Sequence, residues 1–504
     1  LKKRGYSDVQ ISAALRQLQA AAEIAGNTLY DANLKTYGLL RYGADVQTAL
    51  GEQTQKVHFI DWANPDRNDF ALAEEVTLRS GLERRPDIVL YLNGIAIAVI
   101  ELKRSSVGMA EGIRQLLSNQ EKQFNEGFFS TVQLLLAGND AQGVYYATVG
   151  SREAFYVQWK VEAGLAGGEA GALLDRPLAE LFDKARLLDF LHNFVIFDAG
   201  IKKVPRQHQY AGIKAAQVRT RKREGGVIWH TQGSGKSILM VLLAKWLLED
   251  DPDARILVIT DRDELDDQIT KVLKNAGLDS TRVTSRADLV AKLGATTPRL
   301  LCALLHKFDT TDLTGLPPPA HGRFYVFVDE AHRTQGGDMN KQMKRWLGDA
   351  IFIGFTGTPL MRKDKQTTHD VFGTYIHTYK FPEAVADKVV LDLKYEAREV
   401  PQRLGDKQKI EAYFAEKTKG RNNFQKAALR KRWATMEELL SSGERKNRII
   451  NSVLEDFDTR RRLSDGRGTA ILVADEIYDA CHYFRLFQNT DFGKHVGILT
   501  SFEP

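Results

Sequence analysis

The eight residues His230-Thr231-Gln232-Gly233-Ser234-Gly235-Lys236-Ser237 constrain this chain more than any other stretch. An apolar strand, Val227-Ile228-Trp229, runs into them, and an apolar helical pattern from Ile238 leads out. Glycine in such a turn lets the backbone wrap closely around an anion, because no side chain blocks the approach. Successive amide groups and the positive end of the following helix then face that anion. The pattern predicts a phosphate loop. Lys236 should reach the β- and γ-phosphates of a nucleotide, and Ser237 should ligate Mg²⁺. Thr231, Gly233, Ser234 and Gly235 supply the wrapping backbone. His230 stands where the strict pattern has its first glycine, while the tight curve at Gly233 to Gly235 is kept. A loop of this kind sits between a buried strand and a helix, so this region should be an open α/β sheet.

Further segments fit the same sheet. Val326-Phe327-Val328 ends in Asp329-Glu330-Ala331-His332, about 90 residues after Lys236. Asp329 is placed to hold Mg²⁺ through water, and Glu330 to position and deprotonate an attacking water. Alone, an acidic pair after a strand is an ordinary solvated loop; the phosphate loop upstream decides for chemistry. The apolar run Ile351 to Phe355 leads into Thr356-Gly357-Thr358-Pro359, which sets two hydroxyls beside a flexible glycine. Ile256 to Thr260 leads into Asp261-Arg262-Asp263-Glu264. That segment resembles the one by which superfamily 2 motors grip a nucleic-acid backbone; acids suit such a backbone poorly, so the resemblance implies contacts from Arg262 and main-chain amides. Gln209 lies 27 residues before Lys236 and carries an amide able to donate to and accept from adenine at once. Gln207 competes for that role.

A second constellation lies upstream. Arg85-Pro86-Asp87 is followed, 14 residues after Asp87, by Glu101-Leu102-Lys103, a PD…ExK pattern. The run Ile95 to Ile100 reads as a buried strand, and side chains alternate along a strand, so Glu101 and Lys103 share a face. Charges at the end of an apolar strand are costly unless solvated or used. Asp87 and Glu101 are candidate Mg²⁺ ligands, with Lys103 orienting or activating a hydrolytic water. Register decides whether that centre can form. A two-residue Asn93-Gly94 turn alone would place Asp87 opposite Ile100 and send the two carboxylates to opposite faces. A three-residue loop, Leu92-Asn93-Gly94, or a bulge between residues 87 and 101, would bring them together.

The chain has 504 residues, more than one ordinary core holds. Patterning divides it into a mixed region at 1–195, a strand–helix region at 196–380 and the start of a second α/β unit at 381–504, whose clearest strand is Ala470 to Ala474. Residues 163–171 read as a loop and 176–194 as a connecting helix. The formal net charge of +5 permits a polyanionic partner without requiring one. The two cysteines, Cys302 and Cys481, are far apart, which argues against a disulfide framework or a zinc site and for a reducing cytosol. No apolar run reaches the length of a membrane span. The chain begins with Leu1 and ends without an obvious stop, so it is read as a fragment.

Taken together, the PD…ExK residues followed by the phosphate loop, Asp329-Glu330-Ala331-His332 and Thr356-Gly357-Thr358 resemble the restriction subunit of type I restriction–modification enzymes. The resemblance covers nearly the whole chain. It includes Asn93-Gly94-Ile95, Asn119-Gln120, Ala137-Gly138-Asn139-Asp140 and Gly143-Val144-Tyr145-Tyr146. It implies a PD-(D/E)xK nuclease domain followed by RecA-like superfamily 2 motor domains. His332, Thr356 and Thr358 would couple the γ-phosphate to DNA contacts. Gln120, four residues before Phe124, is similar to the glutamine of a QxxxY element near such nuclease sites, with Phe in place of Tyr. The implied activity is ATP- and Mg²⁺-dependent translocation and cleavage of unmodified double-stranded DNA. The implied partners are modification and specificity subunits, the latter reading the sequence. Two departures stand: no motif supplies the arginine of a second motor lobe, and the C-terminal helical assembly region is absent. The rival readings are a stand-alone DEAH helicase with a chance ExK, which cleavage dependent on Asp87 and Glu101 would exclude, and a non-catalytic scaffold, which binding of ATP or Mg²⁺ would exclude.

Overall fold

A computed structural model of the chain describes residues 1–48, 53–79, 81–160, 173–308, 317–331, 338–359, 371–398, 415–416, 418–423, 425–426 and 445–500. The chain divides into two compact units, Leu1–Asp392 and Leu393–Pro504.

The first unit opens with helices α1 (Asp8–Ala22) and α2 (Leu29–Tyr42), each begun by a hydroxyl residue, Ser7 or Thr28, that accepts the amide three residues on. A small hairpin, β1 (Ala44–Val46) with β2 (Gln55–Val57), follows. A six-stranded sheet then forms from β3 (Phe70–Glu74), β4 (Ile88–Leu92), β5 (Ile95–Leu102), β6 (Leu134–Asn139), β7 (Gly143–Ala147) and β8 (Val157–Trp159), in that spatial order. Neighbours run antiparallel except β5 and β6, which are parallel and joined by helix α3 (Met109–Asn119). The expected connecting helix at 176–194 is two helices, α4 (Asp175–Leu181) and α5 (Lys184–Asn193), because Asp183 leaves helical geometry and caps α5 through the Arg186 amide. Hairpin β9 (Ile196–Asp198) and β10 (Ile201–Lys203) leads onward.

The β4–β5 register resolves the question raised by the sequence. Asn93 and Gly94 both take positive φ, 53° and 81°, as a two-residue hairpin turn requires. Leu92 pairs with Ile95 and Tyr91 with Ala96, but Leu90 pairs with Ala98. Ile97 is therefore the extra residue of a bulge, and Ile88 comes to lie opposite Ile100. The loop is the short one; the bulge supplies the odd residue.

Next come α6 (Gln207–Arg221), β11 (Gly226–His230), α7 (Lys236–Asp250), β12 (Ala254–Thr260), α8 (Asp263–Asn275), β13 (Thr281–Arg282), α9 (Arg286–Gly294), β14 (Leu300–Leu304), β15 (Arg323–Asp329), α10 (Asp338–Trp346), β16 (Ile351–Thr356) and β17 (Tyr375–Tyr379). The strands form one parallel sheet ordered β13-β14-β12-β15-β16-β11-β17. β12 has all seven residues buried, with the apolar run Ile256 to Ile259 at its centre, as a sheet covered on both faces selects. One apolar cluster joins the two sheets. It runs from Leu134 and Tyr146 through Phe190 of α5 and its C-cap Phe194 to Ile213 of α6, Leu239 of α7 and Phe327 of β15.

In the second unit the described residues form helices at 445–459, Arg461–Ser464 and Ile477–Gln488. The strand expected at Ala470 to Ala474 is not formed. Ile471 and Val473 are 88% and 84% exposed, and among the described residues no neighbouring strand takes their backbone groups. An extended apolar segment becomes a strand only when a partner pairs its amides and carbonyls. Arg460 is drawn into ion pairs with Glu396 and Asp456.

Candidate active sites

The PD…ExK residues converge at the end of the β4–β5 hairpin. Continuing the bulged register one step past Ile88 and Ile100 sets Asp87 opposite Glu101, so both side chains share a face. Asp87 Oδ2 accepts the Leu102 amide at 2.6 Å, which fixes its carboxylate against the strand end. Glu101 is fully buried. Burial foremost, and then the Asp87 carboxylate, push its carboxyl up to about 8, with Lys103 pulling partly the other way. Lys103 Nζ lies 3.6 Å from Glu101 Oε2 and donates to Gln115 Oε1 at 2.7 Å. Asn119 Nδ2 donates to Glu101 Oε1 at 3.2 Å. Glu101 Oε2 and Asn119 Oδ1 are buried without a hydrogen-bond partner.

Gln120 is not part of this cluster. Its Nε2 donates to Leu116 O and its Oε1 accepts the Gly150 amide, so the side chain ties the end of α3 to the turn after β7. Gln115 and Asn119, four apart on α3, occupy the place the sequence reading gave to Gln120. Their signal was two amides on the stripe that also carries Gly112 and Leu116, the stripe that faces the sheet. Gly112 permits the docking: a Cβ there would stand 3.2 Å from Lys103 Cγ and 3.4 Å from Ala137 Cβ.

The second site lies at the carboxyl edge of the parallel sheet, where the loops after β11, β12, β15 and β16 meet. Gly233 and Gly235 have φ of 81° and 87°, and a Cβ on Gly235 would come within 2.4 Å of Gln209 Nε2. Ser234 Oγ donates to Thr231 O at 2.6 Å, closing the loop on itself. Lys236 Nζ, at the first residue of α7, stands 3.9 Å from Glu330 Oε1. Ser237 is the next residue of that first turn. Asp329 is buried, and burial followed by the neighbouring Glu330 pushes its carboxyl up to about 6. Glu330 takes a positive φ of 45°, which turns it off the strand axis. Thr356 is buried and its Oγ1 accepts the Thr358 amide at 3.1 Å; a Cβ on Gly357 would lie 2.9 Å from Gln232 N and 3.4 Å from Lys236 Nζ. The Thr-Gly-Thr turn thus lies against the phosphate loop.

The two glutamine candidates separate. Gln209 Nε2 donates to Ser234 O and Gly235 O at 3.1 Å each, bracing the phosphate loop from α6. Gln207 Oε1 instead accepts the Lys160 amide at the end of β8. Arg262 is the N-cap of α8 with its side chain more than half exposed and Asp261 at 3.8 Å. His332 lies outside the described residues.

Residues 2–154 match the model of the type I restriction enzyme R protein N terminus, and residues 208–427 match that of the SWI2/SNF2 ATPase. The chain is 30% identical over 495 residues to the type I restriction enzyme HindI endonuclease subunit of Haemophilus influenzae, covering 88% of this chain and 45% of that protein. It is 27% identical over 465 residues to the putative type I restriction enzyme MjaIXP endonuclease subunit of Methanocaldococcus jannaschii, covering 84% of this chain and 44% of the relative. The chain therefore spans less than half the length of these curated relatives. The solved structure of the ATP-dependent Type ISP restriction-modification enzyme LlaBIII bound to DNA overlaps 62% of this chain and 22% of that one, at 13% identity and a TM-score of 0.29, too slight an overlap to carry weight. Along most of its length, this chain is homologous to the endonuclease subunits of type I restriction enzymes.

Proposed function

We propose that this chain carries the nuclease and the first motor lobe of an ATP-dependent DNA translocase and endonuclease that cleaves unmodified double-stranded DNA alongside modification and specificity subunits. Residues 1–195 form a PD-(D/E)xK nuclease domain, 196–380 the first RecA-like lobe, and 381–504 the beginning of a second. The observation that carries this reading is that one compact unit holds two separate acid–lysine centres on two sheets. One is Asp87, Glu101 and Lys103; the other is Lys236, Asp329 and Glu330.

Both centres fit Mg²⁺. At the first, two carboxyls lie side by side, and Glu101 Oε2 is buried with no hydrogen bond and only the Lys103 ammonium near it at 3.6 Å; Mg²⁺ is commonly bound through one or two carboxylates with water completing the shell. At the second, Asp329 is held buried beside Glu330 at the mouth of the phosphate loop, where Ser237 completes the pair that would ligate the ion. Bound there, the cation supplies charge neutralisation at the scissile phosphate or at the β- and γ-phosphates of ATP. The chain's own residues do the rest. Lys103, steadied by Gln115, orients the hydrolytic water at the DNA phosphate. The loop amides of Gly233 to Lys236 cradle the nucleotide phosphates, Lys236 offsets their charge, and Glu330 takes the proton of the attacking water. Gln209 is the adenine-reading candidate and Arg262 a phosphate-backbone contact.

In the intact subunit assembled with its partners, Lys103→Ala should abolish DNA cleavage while DNA-stimulated ATP turnover persists. Lys236→Ala should abolish turnover and, with it, translocation-dependent cleavage. Cleavage of unmodified DNA that survives Lys103→Ala would refute the nuclease assignment.

A further inference from the structure

Asn119 is fully buried at the last turn of α3, and a buried amide is costly unless its polar atoms are used. One is used: Nδ2 donates to Glu101 Oε1 at 3.2 Å. The other, Oδ1, has no hydrogen-bond partner, and neither has Glu101 Oε2. Glu101 Oε2 has only the Lys103 ammonium near it, at 3.6 Å and beyond hydrogen-bond reach, so two buried oxygens on side chains already bonded to one another have nothing to accept from. Buried polar atoms left unpaired in a well-formed protein mark the place of a water or an ion. The backbone of Asn119 has its own structural task, its carbonyl accepting the Asn125 amide at 3.3 Å, and that task does not need the side chain. The side chain is brought to Glu101 by α3 as a whole. Gly112 lets the helix lie on the Lys103 stem, Gln115 takes the Lys103 ammonium one turn later, and Asn119 follows a turn after that on the same face.

We propose that Asn119 is a positioning residue of the nuclease centre: its amide N–H holds Glu101 in the rotamer that presents Oε2 to a divalent cation, and its Oδ1 accepts from that cation's water shell. This rests on the nuclease reading of Asp87 and Glu101. Partners of this kind, which bond a ligating carboxylate and fix its direction, are commonly worth 10- to 100-fold in metal affinity. They act without touching the reacting atoms.

The test is a Mn²⁺ titration of the 504-residue chain by calorimetry, without nucleotide and in an Asp329→Ala background so that the motor site does not contribute. Asn119→Leu, similar in size but without polar atoms, should weaken Mn²⁺ by about 10-fold or more with little change in melting temperature. Asn119→Asp removes the N–H but adds a carboxylate. It should restore affinity at alkaline pH and make it fall more steeply on acidification than in the parent. If Asn119→Leu does not fold, Asn119→Ala takes its place. Affinity of the Leu or Ala variant within about twofold of the parent, while Glu101→Ala abolishes binding, would overturn the role of Asn119 alone. An isotherm unchanged by Glu101→Ala would instead sink the nuclease reading on which it rests.

Discussion

His230 heads the phosphate loop with no solvent contact, its Nε2 2.8 Å from His377 Nδ1. Its ring packs edge-on to His208, which stacks on Tyr379 at 3.8 Å and lies 3.1 Å from Ser234 O. Burial is the largest cause lowering all three histidines, taking His208 to about 4 and His230, further opposed by His208, His377 and Lys236, to about 2. The folded protein therefore keeps them neutral, while the unfolded chain takes up their protons near 6.5. A depressed histidine contributes stability above its unfolded value and loses it as pH falls toward the folded one. From pH 6.5 down to about 4, His208 and His230 should each lower stability, by up to roughly 1.4 kcal/mol per pH unit. Melting temperatures measured from pH 7.5 to pH 5 should fall, and His208→Gln should fall less steeply. Coincident slopes would show that His208 is not neutral in the fold. His230 was legible as a departure from the glycine pattern, but its partners were not: His377 arrives from a strand 147 residues away. That Lys236, Asp329 and Glu330 come together was legible because each belongs to a short motif of adjacent residues at a strand end. Gln115 and Asn119 were not, because their contacts depend on how a helix docks.

At the scale of elements, α3 and the β4–β5 hairpin assemble the centre of Asp87, Glu101 and Lys103 proposed to be the nuclease site. Alternation along β5 could not reveal the bulge at Ile97, because both faces of that strand are covered and residues 96 to 101 are all buried. Asn93-Gly94 announced the turn; the extra residue behind it became visible only in the pairing. The strand at Ala470 to Ala474 failed for the complementary reason, since apolar character specifies burial and pairing only where a neighbour exists. α3 gives a test of assembly. Gly112 faces the Lys103 stem and the Ala137 methyl at distances that leave no room for branching. Gly112→Val should push the helix off β5 and β6, costing roughly 1–3 kcal/mol in overpacking, and weaken Mn²⁺ at Glu101 by displacing Gln115 and Asn119. The proposed nucleotide site is on the other sheet, and its affinity for ATP should be unchanged. Retention of full Mn²⁺ affinity in Gly112→Val would show that α3 does not set the geometry of the centre.

At the scale of the molecule, the question is whether the six-stranded sheet and the seven-stranded parallel sheet stand or fall together. Their polar clasp is Arg41, whose side chain is 1% exposed. It donates to both oxygens of Glu249 at the far end of α7, at 2.9 and 2.6 Å, and to His192 O at 2.6 Å. Lys202, buried on β10, adds bonds to Asn33 of α2 and to Gln133 ahead of β6, and Tyr146 of β7 donates to Pro205 O ahead of α6. Beneath these bonds, the apolar cluster that passes through α5, α6 and α7 is continuous from one sheet to the other. A continuous core makes separate unfolding expensive, because either sheet alone would expose the shared apolar surface. Arg41→Met leaves His192 O and Glu249 without their donor. Glu249 keeps solvent access, with 37% of its side chain exposed, so the cost should be at the lower end for a buried pair, roughly 1–3 kcal/mol. That loss should appear equally in the slowest-exchanging amides of β5 and of β12 when hydrogen exchange is followed by mass spectrometry. A loss confined to β5, with β12 unchanged, would show two independent folding units joined only by contact, and the continuous core would not couple them.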